Sequence, residues 1–101
     1  MNRKAALAEL QAFPAGWTNP EFTCDRPGRE FNAGGFYLLV SCNQDVDEKL
    51  WWTSVFFGGD TEAAWTKDGF PSAAAARSAC VSQALRMLRE CKDALQKADG
   101  R

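Results

Sequence analysis

The chain contains no histidine, one tyrosine and four prolines in 101 residues. Without histidine there is no Ser-His or Cys-His activation of a nucleophile, no His-ligated metal and no ordinary general base near neutral pH. Catalysis would fall to carboxylates, lysines, Tyr37 or a thiolate, and the four cysteines (Cys24, Cys42, Cys80, Cys91) form no Cys-x-x-Cys pair. They lack zinc spacing and read as small apolar residues of a reducing compartment, although a Cys24–Cys42 bridge is sterically allowed if their strands pair. No phosphate-binding glycine loop is present, because GGF and FFGGD lack the length and the lysine. An enzyme is not expected, nor a cofactor.

Long apolar runs are also missing. No stretch approaches the roughly 18 to 20 residues of a membrane span, and Glu9 and Gln11 break the apolar run that a signal peptide would need. The expectation is a cytoplasmic protein with no membrane partner. A net charge of −1 gives no overall attraction to nucleic acid. The charge is unevenly placed, however: residues 41–70 sum to −4 and residues 77–101 to +3.

What is abundant is apolar and aromatic material. Hydrophobic residues make up 46% of the chain and charged ones 25%, which predicts one folded domain over 1–101 rather than disorder. Residues 3–12 read as a short helix ended by Pro14 and Gly16. A short strand is expected near 21–24, followed by a turn at RPGR. Alternation in GFYLLVSC predicts a strand over 35–42, with Phe36, Leu38, Val40 and Cys42 on one face and Tyr37, Leu39 and Ser41 on the other. LWWTSVFF predicts its antiparallel partner over 50–57, and TEAAWT a short edge strand over 61–66.

The last element is a helix over 72–98, with Ser72 as N-cap and Gly100 as terminator. Val81, Ala84, Leu85, Leu88, Cys91 and Leu95 form an apolar stripe that is expected to cover one face of the sheet. The fold class is therefore α+β: an antiparallel three- to four-stranded sheet on a long C-terminal helix, in α-β-β-β-α order.

That order, with the alanine-rich segment ARSACVSQALRML, resembles the layout of double-stranded RNA-binding domains. Ala84, Leu85 and Leu88 match the family's closing helix step. The resemblance implies duplex contact at the start of that helix, but the family's lysine cluster is replaced by Ser72 and four alanines, with only Arg77 nearby. RPGR, at the position of the family's first inter-strand loop, lacks its histidine. Phosphate contacts dominate such binding, so the RNA-contacting part of the pattern is missing.

Trp51, Thr53, Val55 and Phe57 alternate with Leu50, Trp52, Ser54 and Phe56, so both faces of one strand are apolar. One face is core. The other is either lidded by the N-terminal segment with Phe13, Trp17 and Phe22, or is a partner-binding patch. The working expectation is a non-catalytic protein-binding module: an inhibitor, immunity-type protein or adaptor, or a self-associating homodimer. Its anchors would be Tyr37, Trp51, Trp52 and Phe57, with Asp45, Asp47 and Glu48 as an acidic rim. The alternation Asn43, Asp45, Asp47 resembles a calcium loop, but the sixth and twelfth positions hold Glu48 and Ser54 instead of Gly and Glu. The alternative expectation is nucleic-acid binding by the basic helix through Arg77, Arg86, Arg89 and Lys92.

Overall fold

The computed structural model describes residues 3–20, 27–42 and 51–100. The expected strand at 21–24, Cys24, Phe22, and the segment holding Asp45, Asp47 and Glu48 lie outside the described residues. The described elements are α1 (Arg3–Gln11), β1 (Gly28–Ala33), β2 (Phe36–Cys42), β3 (Trp51–Phe57), β4 (Trp65–Phe70) and α2 (Ala73–Ala98). The four strands form one antiparallel sheet in the order β1-β2-β3-β4, with the long C-terminal helix packed on it. The protein is a small α+β domain.

Two strands run through residues that carry turn signals in the sequence. β1 takes in Gly28 and Arg29 of the RPGR segment and runs on to Ala33, because Gly34 and Gly35, both at positive φ (58° and 84°), make a two-residue hairpin between Ala33 and Phe36. Such a turn matches the twist of paired strands and draws GREFNA into register with β2. β4 begins at Trp65, and KDG lies inside it rather than ending it. A register shift between Trp51 and Thr53 accommodates that sequence as a bulge. Lys67 and Asp68 on this exposed outer strand discourage pairing with another sheet edge.

The register sorts the side chains. Phe31, Phe36, Leu38, Val40, Cys42, Trp51, Val55 and Phe70 face the helices, and the buried core joins Leu38, Val40, Cys42, Trp51 and Val55 to Ala73, Ala76 and Cys80 of α2 and Ala6 and Leu10 of α1. The alanines of α2 let its backbone come close over Trp51, which is wholly enclosed. Thr53 is also enclosed on this face, and its hydroxyl donates to the Leu39 carbonyl at 2.8 Å.

Both helices lie on the same side. The Glu9 carboxylate of α1 accepts from the Ala73 amide at 3.0 Å, and the Ser72 hydroxyl accepts from Ala75 at 3.1 Å, so two of the open amides at the start of α2 are satisfied. After α1 the chain continues on the helix side. Phe13 meets Trp17 edge-on at 5.2 Å, Trp17 meets Phe31 at 5.4 Å, and the Arg77 guanidinium lies 4.7 Å above Phe13. Gly16 permits this fold-back: its φ is 102°, and a β-carbon there would stand 2.6 Å from the Phe31 ring.

Candidate functional site

The face of the sheet away from the helices is built in rows. Asn32, Tyr37 and Phe56 form one row across β1, β2 and β3; Glu30, Leu39, Ser54 and Thr66 form the next across all four strands; Gly28, Ser41 and Trp52 form the third. The middle row is tied by polar contacts. Ser54 and Thr66 hydroxyls are 2.8 Å apart, and the nearly enclosed Glu30 carboxylate accepts from the Tyr37 hydroxyl. These contacts hold Tyr37 in place with its ring 5.4 Å from Phe56 in an edge-on pair. Trp52 is half-buried at the far end, about 13 Å from Phe56 along the strand.

A groove of about 510 Å³ opens on this face. Tyr37, Leu39 and Phe56 are its apolar lining, with Asn32, Asp60 and Thr61 among the polar residues around them. Among the described residues no helix lies over it. Of the residues that the lid alternative would place over this face, Phe13 and Trp17 pack on the helix side instead.

The anchors expected from the sequence divide between the two faces. Tyr37 and Trp52 share the helix-free face. Trp51 does not serve as an anchor, because its position places it under α2 with no exposed surface. Phe57 is also on the helix side, 39% exposed at the strand end and packed on Phe36 at 4.8 Å. Leu39 joins Tyr37 in the groove as its place on the same strand face suggests, whereas the sequence pattern does not single out Phe56 or Asp60 for the site. The parity of Phe56 with Trp52, combined with the β2–β3 register, is the signal that finds it, whereas Asp60 arrives from a loop that no periodicity places.

The basic helix does not gather its cations. At about 100° per residue, Arg77, Arg86, Arg89 and Lys92 are spread over half the circumference of α2. Arg86 is paired with Glu90 at 3.4 Å, and Arg77 is stacked on Phe13. A phosphate backbone would meet no continuous positive stripe from these four.

The thiols also separate. Cys42 and Cys80 are buried, whereas Cys91, expected on the buried stripe, is exposed. Burial pushes the Cys80 thiol above its ordinary value, outweighing the lowering by its hydrogen-bond partners and Arg77. Among the described residues no three His, Cys, Asp or Glu side chains cluster as metal ligands, and no helix is long and apolar enough to cross a membrane.

Comparison with known proteins finds no matching family model, no matching curated protein and no matching solved structure.

Proposed function

We propose that this protein is a non-catalytic protein-binding module, an inhibitor, immunity-type protein or adaptor that occupies a protein partner through the helix-free face of its sheet. One observation carries the reading: among the described residues both helices, Phe13 and Trp17 pack on the same side, with Tyr37, Trp52 and Phe56 half-buried on the other. Aromatic side chains of this kind, flanked by polar groups such as Asn32, Asp60 and Thr61, have the composition of an interface centre and its rim. The tyrosine held by Glu30 contributes a rigid contact that loses little entropy on binding. A cytoplasmic location belongs to this reading, since an exposed Cys91 beside two buried cysteines suits a reducing compartment.

The test is affinity capture with the intact chain and with Trp52→Ala and Phe56→Ala. The expected result is a discrete partner retained at high salt and lost with either variant, because apolar contact is little screened. Capture unchanged by both variants, or retention of nucleic acid that collapses with added salt, would sink the proposal.

A further inference from the structure

α2 carries a second apolar face that the sheet does not use. The residues that meet the sheet, Ala73, Ala76, Cys80, Ala84 and Met87, follow spacings of three and four along one side. Val81, Leu88 and Leu95 lie roughly 90° further round the helix, at intervals of seven. The stripe was expected to cover the sheet, but Val81 is 36% exposed, Leu88 54% and Leu95 71%, with Leu85 at 53% on its flank. The distal half of the helix runs past the sheet.

Polar residues frame this stripe symmetrically. Arg77 lies four residues before Val81 and Asp99 four residues after Leu95, so the order read along the helix is cation, Val81, Leu88, Leu95, anion. All five positions fall within about 20° of a single line along the helix. The pattern is palindromic about Leu88 in spacing and opposite in charge at its two ends. An antiparallel copy, related by a two-fold axis at Leu88, sets Val81 against Leu95, Leu88 against its own copy and Arg77, from its place over Phe13, against Asp99, with Ala84 meeting Lys92 on the flank.

The neighbouring surface fits the same arrangement. A groove of about 420 Å³ runs beside the stripe, lined by Trp17, Phe31, Phe36 and Leu38 from the sheet side and by Val81 and Leu88 among others from α2. The two-fold brings the partner's Leu95 over Val81, at the mouth of that groove, and the reciprocal contact follows by symmetry. Antiparallel helices also oppose their dipoles favourably.

From this geometry we infer that the protein forms a homodimer by antiparallel pairing of α2 about Leu88, with Arg77 of each chain facing the partner's Asp99. The surface is distinct from the sheet face proposed to bind another protein. About four helical turns and a groove edge per subunit form a contact smaller than the roughly 800 Å² per partner of standard stable interfaces, so the dimer is expected to be weak and dependent on concentration.

The experiment is light scattering and sedimentation of the full chain from about 1 to 200 μM, a range that brackets a micromolar dissociation constant. Wild type is expected to pass from the 11.1 kDa chain mass to twice that value. Leu88→Glu, which sets two carboxylates against each other on the axis, is expected to weaken association at least about 100-fold while leaving the circular dichroism spectrum unchanged. Asp99→Arg should weaken it roughly 3- to 10-fold, and Asp99→Arg with Arg77→Glu should recover most of that loss.

Wild type that stays monomeric throughout overturns the inference. So does a dimer that survives Leu88→Glu, or a double variant no better than the single. A dimer lost with Trp52→Ala and kept with Leu88→Glu would instead assign self-association to the sheet face.

Discussion

Adjacent tryptophans meet different environments here because a strand turns successive side chains to opposite faces. Trp51→Ala opens a cavity between the sheet and the alanines of α2, and is expected to cost about 3 to 5 kcal/mol of stability. Trp52→Ala, at a half-exposed position, should cost less than about 2 kcal/mol. Urea unfolding of the two variants, followed by circular dichroism, checks the difference. A similar contrast holds for thiols. In the monomeric Leu88→Glu background, Cys91 should be alkylated in the folded protein while Cys80 waits for denaturation, as peptide mass mapping would read.

The Cys80 thiol also gives a pH dependence with a definite sign. Its folded pKa is raised, so above the ordinary thiol value the unfolded chain ionises while the folded one keeps its proton. The contribution is fully present below the unfolded pKa and is lost as pH rises towards the folded value. Wild type should therefore lose stability on going from neutral to alkaline pH more steeply than Cys80→Ala, as paired urea midpoints would show.

At the scale of elements, α2 depends on what stands at each end. Ser72 and Glu9 satisfy amides of its first turn, one from its own cap and one from α1. Ser72→Ala is expected to lower stability by about 1 kcal/mol with an unchanged denaturant slope. The distal half has no sheet beneath it among the described residues, so hydrogen exchange should be slow near Ala76 and Cys80 and fast beyond Leu88 in the Leu88→Glu variant. Protection beyond Leu88 in wild type at high concentration would come from the second subunit.

The same scale shows where periodicity informs and where it stops. The alternation in FYLLVSC and WWTSVFF places β2 and β3 and pairs their faces correctly, because an apolar strand pattern has period two whatever surrounds it. β1 is not legible in the same way, since its own sequence, GREFNA, is half polar, and only its pairing through the Gly34–Gly35 turn makes it a strand. The stripe on α2 is legible as apolar, but its partner is not. Helix periodicity reports which residues share a face and says nothing about what lies opposite.

The whole molecule is long for its mass. Its Cα radius of gyration is 15.1 Å and its longest extent 54 Å, against about 12.7 Å for the radius of a compact chain of this length. The projecting helix accounts for the excess. Small-angle scattering of Leu88→Glu should give a radius near the elongated value, whereas a compact result would mean that the distal helix folds back.

The sequence alone determined the α+β class, the two central strands, the N-capped final helix and the absence of histidine chemistry, because those rest on local periodicity and composition. Tertiary structure decided which tryptophan is core, which side Phe13 and Trp17 take, and which part of α2 extends past the described strands. Each of those is a choice between two apolar surfaces of similar composition. Strand register and the position of the helices settle it, and both depend on contacts between residues far apart in the chain.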